Sequence, residues 1–378
     1  MQERWILQFC HSHYGPFLDV ARQYAALFSG TPFKVLTVFL TGKDTPEVRA
    51  GAASEEVLFL EQNSRDVRGL KLGAIRALGK IMTSRKVELI IAHRFKPIYI
   101  ACLASKVPVI GVHHGFGDYQ RWPRQWFARL FRKRLTLLGV SDAVRDDIRA
   151  CLPGWPDEKI QTLYNRIDLA AIQGAHLERS AARAVLQLPA EAFVVGNVGR
   201  LHPDKDQATL IRAFARALPS LPSTAMLAIM GTGPLESALK QLAVLEGIAD
   251  RVRFLGAVDA GRRYFKAFDM FALSSDHEPF GMVLLEAMAA QIPVICSDCG
   301  GGKEVVQDVG ELFAMGNAEA LAAAITKVAR QPETQRHQST LAALQKIRTH
   351  FSDAAVRETF FSLKPVIECL RFQPESLH

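Results

Sequence analysis

The chain has 378 residues and a mass of 41.8 kDa, about twice the usual domain size, so we expect two hydrophobic cores. With 49% hydrophobic and 22% charged residues, it cannot be a disordered, collagen-like or disulfide-scaffold protein. The formal charge of +8 is uneven, since residues 1–176 hold 25 Lys and Arg against 16 Asp and Glu. This indicates an acidic partner of the first half, such as anionic lipid or a phosphorylated acceptor, although charge alone also allows nucleic acid.

The sequence predicts a location in the cytoplasm. Its longest apolar candidate, residues 282–296, is interrupted by Glu286, Gln291 and Pro293 and is too short for a membrane span. The first residues lack the basic flank and apolar length of a secretory signal. Six cysteines are scattered without a small-domain framework, which suits a reducing compartment.

Short apolar runs alternate with amphipathic stretches along the chain, the pattern of parallel strands joined by helices. In the first half, strands are predicted at residues 4–9, 33–40, 57–60, 87–92, 107–113, 135–140 and 160–164. In the second half, they are predicted at residues 193–198, 225–230, 252–255, 270–273, 293–297 and 311–313. The sequence therefore predicts an α/β protein with two doubly wound sheets facing a cleft.

The predicted domain boundary lies in a polar, alanine-rich stretch. Residues 168–189 carry no clear strand and precede the fresh strand at 193. We therefore expect an N-terminal domain at 1–180 and a C-terminal domain at 181–350. The amphipathic tail, residues 351–378, would either finish the second domain or pack on the first.

In open parallel sheets, ligands bind beyond the carboxyl ends of the strands. The loop after residues 193–198 carries Gly199, Arg200 and Lys205 before a predicted helix. Arginine offers paired planar donors, lysine a mobile charge and the helix free amides, a combination that suits a diphosphate. The alternative is two solvated surface charges.

A glycine turn follows the next strand. Gly231 and Gly233 would let the backbone approach a nucleotide closely, although a plain tight turn explains them as well. The turn also begins like a dinucleotide fingerprint, which keeps a nicotinamide oxidoreductase as a competing class. However, Glu236 stands where the third glycine of that fingerprint belongs.

Residues 274–286 contain three carboxylates, of which Glu278 and Glu286 are the candidate ligands. If a helix begins near Gly281, Glu278 lies in the loop before it, whereas Glu286 lies roughly 7.5 Å further along. Carboxylates accept hydroxyl donors, so Glu278 would hold a sugar and Glu286 a ribose, while amides near Phe280 and Gly281 would face a phosphate. Two solvated carboxylates are the alternative. Glycoside hydrolysis is disfavoured, because both come from one segment rather than from opposite sides of a scissile bond.

No metal site is expected. Asp204 and Asp206 have the spacing of a metal-binding pair, but Asp206 is better placed to begin the next helix. Cys296 and Cys299 have zinc-like spacing without a second pair nearby.

A basic aromatic segment occupies residues 121–134. On a helical wheel, Trp122 and Trp126 gather with Leu130 on one side, beside several arginines. Such a helix typically lies among lipid headgroups, although an ordinary solvated helix with its aromatics in the core is the alternative. The candidate acceptor or membrane contacts are Arg121, Trp122, Arg124, Trp126, Arg129, Arg132 and Lys133.

The motifs of the second half, together with the glycine run at residues 300–304, resemble the retaining GT-B glycosyltransferases of family 4 in order and spacing. The resemblance implies two Rossmann-like domains, a nucleotide-sugar donor on the C-terminal one, an acceptor on the N-terminal one, and a C-terminal helix that returns to the first domain. It assigns Arg200 and Lys205 to the donor diphosphate, Glu278 to the sugar and Glu286 to the ribose. The donor-binding candidates are Gly15, Gly199, Arg200, Lys205, Gly231, Gly233, Glu278, Phe280, Gly281, Met282, Val283 and Glu286.

The first half resembles the family less closely. The strand that ends at His113 and His114 implies that His114, or else His113, lies beside the donor sugar. Gly15 stands where a double-glycine loop is common, and Arg166 replaces the glycine of an Asn-Gly-x-Asp turn. These departures concern the acceptor side.

The predicted function is a cytoplasmic retaining transferase, peripheral on the inner face of the plasma membrane. It would move a sugar from a UDP- or GDP-linked donor to a cell-envelope glycan or lipid-linked acceptor, as in lipopolysaccharide biosynthesis. Its catalytic residues would be His114, Arg200, Lys205 and Glu278, with no metal, no cofactor and no nucleic-acid partner. The competing class is a GT-B-like binding or assembly protein without turnover.

Overall fold

The computed structural model describes residues 3–63 and 65–371. The first two residues, residue 64 and residues 372–378 of the predicted C-terminal segment therefore lie outside the described part. The chain forms two compact units. Unit 1 runs to Tyr164 and resumes at Val356, whereas unit 2 spans Asn165–Ala355.

Unit 1 is built on a seven-stranded sheet. Its strands are β1 (Arg4–Cys10), β2 (Phe33–Phe39), β3 (Glu56–Phe59), β4 (Val87–His93), β5 (Val109–His113), β6 (Leu135–Gly139) and β7 (Ile160–Thr162). All pairs are parallel, in the order β3-β2-β1-β4-β5-β6-β7. Residues of β5 and β6 are buried throughout, as expected for parallel strands covered on both faces.

Helices connect these strands. They are α1 (Phe17–Ala26), α2 (Pro46–Ala52), α3 (Leu72–Thr83), α4 (Phe95–Ala104), α5 (Trp122–Phe131) and α6 (Asp142–Cys151), with a 3-10 turn at Asp157–Lys159. Local sequence fixes where α6 begins, because the Ser141 hydroxyl accepts a hydrogen bond from the Val144 amide. Asp142 in the first turn and Arg149 in the last oppose the helix dipole.

Unit 2 contains a six-stranded sheet. Its strands are β8 (Phe193–Val198), β9 (Ala225–Met230), β10 (Val252–Gly256), β11 (Met270–Leu273), β12 (Val294–Ser297) and β13 (Glu311–Phe313). They are also parallel, in the order β10-β9-β8-β11-β12-β13. A large apolar core gathers side chains from this sheet and the helices that follow it.

The remaining helices begin at residue 169. They are α7 (Leu169–Ala175), α8 (Arg179–Val185), α9 (Gln207–Ala217), α10 (Glu236–Leu245), α11 (Met282–Ala289), α12 (Gly300–Val306), α13 (Ala318–Arg330), α14 (Glu333–Lys346), α15 (Asp353–Ser362) and α16 (Lys364–Leu370). Shorter turns are 3-10 helices at Pro203–Lys205, Leu218–Ser220, Ala249–Arg251 and Gly261–Ala267 and a π-helix at Ile347–Phe351. Helix α9 packs against α10 and α13, whereas α11 packs against α12 and α14.

Both sheets have the strand order of a doubly wound fold, in which the chain adds strands on one side of the first strand and then crosses to the other. The predicted fold class of two parallel α/β domains is confirmed. Every predicted strand lies within two residues of an observed one at each end. Because both faces of each sheet are covered, its strands are continuous apolar runs, and such runs can be recognised in the sequence.

The unit boundary differs from the predicted one at residue 180. Helices α7 and α8 belong to unit 2, where the Gln173 side chain donates to the Ala289 carbonyl at 3.1 Å. The buried Arg183 guanidinium donates to the Ala267 carbonyl at 2.9 Å and to Asp269 at 2.9 Å. A polar, alanine-rich stretch resembled a linker, but its long-range contacts tie it to the second sheet.

The segment from Val356 onward packs on unit 1. The Phe28 and Phe360 rings meet edge to face at 5.7 Å. The Arg357 guanidinium donates to the Leu27 carbonyl at 2.9 Å, and that of Arg4 donates to the Leu370 carbonyl at 3.0 Å. These contacts make the end of α15 and α16 part of the first unit.

None of the helices in the described part of the chain has the length and hydropathy that a bilayer span requires.

Candidate functional site

The strand order of unit 2 places its candidate site. The chain builds outward from β8 through β9 to β10 and then crosses to β11 on the other side of β8. The loops that follow β8 and β11 therefore lie at the switch point of the sheet, on the carboxyl edge where ligands of open parallel sheets bind. Residues 199–206 and 274–281, which the sequence singled out, are these two loops.

Lys205 and Glu278 meet at this edge. The Lys205 Nζ lies 2.7 Å from Glu278 Oε2 in a largely buried ion pair. The Ser275 hydroxyl donates to the same oxygen at 3.2 Å, and that of Ser274 donates to the Lys205 carbonyl at 3.0 Å. In the described part of the chain, no hydrogen bond reaches Glu278 Oε1. This oxygen can accept from a ligand hydroxyl while the other holds the lysine.

Arg200 lies on the outer side of the same loop. Its side chain is 70% exposed and lies 3.2 Å from Asp204 Oδ2, while Gln207 donates to its carbonyl at 2.9 Å. The guanidinium is therefore available to an anion, with its backbone held in place. Asp206 begins α9, as predicted, and its carboxylate accepts from the Thr209 amide at 3.2 Å.

The glycine turn after β9 packs tightly against the loop after β8. A Cβ on Gly231 would lie 1.9 Å from the Gly199 carbonyl oxygen, and one on Gly233 would lie 2.3 Å from that of Leu201. Gly231 also has φ of +140°, a conformation that side chains disfavour. Only glycine at both positions lets the two loops approach this closely.

Helix α11 begins at Met282, directly after Gly281. Glycine carries no capping side chain, so the first-turn amides of Met282 and Val283 stay available to an anion. The Phe280 side chain is buried against the Phe351 ring at 5.6 Å, so it would serve a ligand only through its backbone. Glu286 is half-buried one turn further along.

The two histidines that end β5 have different environments. His113 is fully buried, and its Nδ1 lies 2.8 Å from Asp118 Oδ2. His114 is half-buried, its Nε2 lies 3.1 Å from His93 Nδ1, and it lines a cavity. Burial and, to a smaller extent, the positive charge of Arg94 lower the pKa of His114 to about 3. His114 is therefore a neutral imidazole that a ligand can reach, whereas His113 is not accessible.

This environment predicts acid-sensitive folding. Burial lowers the pKa of His114 to about 3 and, with Lys96 and Arg94, that of His11 to about 4, against about 6.5 in an unfolded chain. Below about pH 6.5, the unfolded state binds more protons than the folded state. The free energy of unfolding that these two histidines contribute is therefore fully present above about pH 6.5 and falls as the pH drops toward 4. We expect a loss of up to about 1.4 kcal/mol per pH unit for each histidine. Denaturant titrations at several pH values would show this slope, and His11→Gln/His114→Gln should flatten it; an unchanged slope would contradict the assignment.

The basic aromatic segment forms α5 and presents an apolar stripe to solvent. Trp122, Trp126 and Leu130 are 70%, 57% and 61% exposed. The core position of α5 is taken by Phe127 instead. The alternative that the two tryptophans lie in the core is therefore wrong. Four flanking cations are exposed, namely Arg121, Arg129, Arg132 and Lys133.

Two further predicted residues have different outcomes: Arg124 does not lie on the exposed stripe, whereas Gly15 lies in the first unit, where its motif placed it. Arg124 turns away from the exposed stripe, because its guanidinium binds the Asp118 carboxylate and carbonyl at 2.8 and 2.9 Å and stacks over Phe95 at 4.5 Å. Gly15 lies in unit 1, in the exposed turn before α1, at φ of +60°.

Sequence reasoning missed several polar residues that line these edges. Ser274 and Ser275 directly follow β11, and Arg94 and Lys96 follow β4. The rule that ligands bind beyond the carboxyl ends of parallel strands points to all four, although none of them belongs to a recognisable motif. In the described part of the chain, no group of three or more His, Cys, Asp or Glu side chains could hold a metal ion.

Comparisons with known proteins agree with this architecture. The family model described as Glycosyl transferases group 1 matches residues 178–344, and that of Glycosyltransferase Family 4 matches residues 11–171. The lipopolysaccharide core biosynthesis glycosyltransferase LpsD of Rhizobium meliloti is 33% identical over 210 residues, which cover 54% of this chain and only 60% of that relative.

Solved structures share the fold at low sequence identity. A glycosyltransferase from Rickettsia africae has a TM-score of 0.84 at 16% identity, covering 99% of this chain and 100% of that one. Anabaena HepE, solved with UDP and glucose, has a TM-score of 0.73 at 21% identity, covering 95% and 98%. Since the two family models together take in most of both units, the chain belongs to the group 1 glycosyltransferases of the GT-B fold.

Proposed function

We propose that the protein is a retaining glycosyltransferase that moves a sugar from a nucleotide-sugar donor to a glycan or glycolipid acceptor. The observation that carries this proposal is the buried pair of Lys205 and Glu278 at the switch point of unit 2. It brings together one group that stabilises a phosphate and one that accepts sugar hydroxyls. A glycoside hydrolase does not need this combination, because its substrate has no phosphate leaving group.

In this proposal, the donor diphosphate binds the loops after β8 and β11. Lys205, Arg200 and the first amides of α11 stabilise the negative charge that develops as the phosphate leaves. Electrostatic stabilisation of this kind is usually the largest single contribution to catalysis. Glu278 holds the sugar and Glu286 the ribose. The glycine turn lets the backbone approach the nucleotide.

Retention follows from reaction on one face of the sugar. The bond between the anomeric carbon and the phosphate oxygen breaks while the acceptor oxygen bonds to the same face of that carbon. Attack on the same face needs no enzyme nucleophile, and the departing phosphate oxygen takes the acceptor proton, so no separate base is needed. Lys205 and Arg200 stabilise the leaving phosphate in place of a metal ion. We assign His114 rather than His113 to the sugar, because only His114 can be reached by a ligand.

The proposed substrates follow from the relatives. UDP occupies the HepE structure, so we propose a UDP-linked donor first and a GDP-linked donor as the second choice. LpsD is a lipopolysaccharide core enzyme by name, and we propose a lipopolysaccharide or related cell-envelope acceptor.

A panel of nucleotide sugars tests this function. We expect at least one UDP- or GDP-sugar to bind in calorimetry and to lose its nucleotide in the presence of a cell-envelope glycan, with the anomeric configuration retained in the product by NMR. Binding without turnover toward any glycan would favour a non-catalytic binding protein. Absence of binding by every common nucleotide sugar to folded protein would refute the proposal.

We further propose that unit 1 binds the inner face of the plasma membrane through an apolar patch. The patch comprises Trp122, Trp126 and Leu130 of α5 together with Leu70 and Leu72, which are 67% and 52% exposed. Between these leucines, Lys71 lies over the Tyr99 ring at 4.7 Å, and that ring packs on Phe127 of α5 at 4.9 Å. The flanking arginines complement anionic headgroups, so the occupant of this patch is an anionic bilayer.

Removing the two tryptophans should weaken membrane binding. Their buried area in the headgroup region is worth well over 1 kcal/mol, so we expect Trp122→Ala/Trp126→Ala to lower partition into phosphatidylglycerol vesicles at least about tenfold. Vesicle sedimentation at low and high salt measures it. The matched control is Leu245→Ala, which removes an 83% exposed side chain from unit 2. Equal partition by the double variant and the wild type would contradict the proposal.

A further inference from the structure

Unit 1 has a cavity at its own switch point. The chain adds β2 and β3 on one side of β1 and then crosses to β4 on the other, so the switch point lies at the carboxyl ends of β1 and β4. His11, Arg94 and His114 follow β1, β4 and β5, respectively, and line a cavity of about 330 Å³. This volume is at the small end of ligand pockets, which span roughly 300–1,000 Å³, and suits a ligand of about one sugar residue.

The cavity carries excess positive charge. Arg94, Lys96 and Arg124 line it, against the single carboxylate of Asp118, which Arg124 already engages at 2.8 Å. Within the described part of the chain, neither Arg94 nor Lys96 forms an ion pair. Burial, Lys96 and Arg94 lower the pKa of His11 to about 4, so its imidazole adds no compensating or further charge at neutral pH. Two cations at this edge therefore lack a direct ion-pair partner, although the charge of Asp118 acts on Arg94 through space.

Arg94 is held in an unfavourable backbone conformation. It has φ of +72°, which is rare for a residue with a side chain and which clusters at functional sites. Its amide donates to the Val112 carbonyl at 2.9 Å, and its guanidinium stacks over the Phe17 ring at 4.2 Å. The backbone and the ring fix this guanidinium at the cavity. Helix α4 begins at the next residue, so its first amides add further positive potential.

We propose that this cavity binds the acceptor sugar through a phosphate or carboxylate group that the sugar carries, held by Arg94 and Lys96. The proposal rests on the glycosyltransferase function proposed above and narrows its acceptor class from any glycan to an anionic one. A neutral sugar would leave both cations without a direct ion pair, whereas a sugar phosphate or sugar acid supplies one. Burial is the main cause that lowers the pKa of Lys71, and the nearby charges of Lys96 and Arg124 lower it further. Lys71 therefore adds to the positive potential at this cavity.

Titration calorimetry of the full chain with glucose 6-phosphate, glucuronate, glucose and inorganic phosphate tests this assignment. We expect saturable binding of at least one of the two anionic sugars with a dissociation constant of about 1 mM or below, and no measurable binding of glucose. Comparison of glucose 6-phosphate with glucuronate decides which anion is preferred. Inorganic phosphate should bind more weakly than the preferred sugar, which separates recognition of an anionic sugar from recognition of a bare anion.

Variants locate the binding. Lys96→Gln should weaken the anionic sugar at least about tenfold, as expected for loss of a charged hydrogen-bond donor, whereas Lys96→Arg should retain most of it. The matched control is Lys106→Gln, an exposed lysine before the amino end of β5, which should bind normally. Lys205→Met should also bind the anionic sugar normally, because Lys205 belongs to the anion site of unit 2 and does not line this cavity.

Three results would overturn the inference. They are binding of glucose as tight as that of the anionic sugars, absence of binding by both anionic sugars, and loss of binding in Lys205→Met with retention in Lys96→Gln. Nucleotide-sugar binding by the wild type is measured separately. If nucleotide sugars bind and anionic sugars do not, this inference alone fails, whereas failure of both refutes the proposed function.

Discussion

Replacing Lys205 by methionine should lower kcat about 100- to 1,000-fold, because the leaving phosphate loses a preorganised positive charge. The substitution should also destabilise unit 2. Glu278 is only 7% exposed, and its Oε2 would lose the ammonium 2.7 Å away. Breaking a buried ion pair by removing one partner costs roughly 3 kcal/mol. Initial rates at saturating donor, with denaturant titrations of the same samples, measure both effects.

A second substitution separates these two losses. In Lys205→Met/Glu278→Gln, the buried carboxylate is gone, so we expect most of the stability to return, while kcat stays low because both donor-binding side chains are lost. Lys240→Met is the matched control, since Lys240 is an exposed lysine of unit 2 whose partner is Glu236 on the same helix. If the double variant regained wild-type turnover, Lys205 would act only as the structural partner of Glu278.

Gly231→Ala should produce the largest loss of stability. Its Cβ would lie 1.9 Å from the Gly199 carbonyl oxygen, and its φ of +140° is unfavourable for alanine. Because the obstacle is backbone rather than a movable side chain, the loops after β8 and β9 must separate, at a cost of about 3 kcal/mol or more. Nucleotide binding should be lost at temperatures where the variant is still folded. Thermal unfolding and calorimetry with UDP would show both changes.

Gly174→Ala is the matched control for this prediction. Gly174 lies in α7, no atom stands within 4 Å of the position that an alanine methyl group would take, and its φ is ordinary. Alanine is the better helix former, so this variant should gain up to about 1 kcal/mol. Equal effects at the two positions would show that close packing of the two loops is not what requires glycine at 231.

The strand order explains why both units offer a site at the same place. In each sheet, the first strand lies between two sets of strands that the chain adds in opposite directions. Ligands of open parallel sheets bind outside the carboxyl ends of the strands at that point. Lys205 and Glu278 occupy this position in unit 2, and His11 and Arg94 occupy it in unit 1.

The sequence by itself determined the strands, the doubly wound class and the loops that carry Lys205 and Glu278. Strands that are buried on both faces must be continuous apolar runs. A helix start such as Asp206 depends on an amide only three residues away. Both features can therefore be predicted from short stretches of sequence. Tertiary structure decided the rest. Whether His113 or His114 faces a cavity, whether Arg124 lies on a stripe or against Asp118, and whether residues 165–180 join one unit or link two depend on partners far along the chain. Burial, charge pairing and access at each of these positions arise only when distant segments pack together, so no local pattern of residues encodes them.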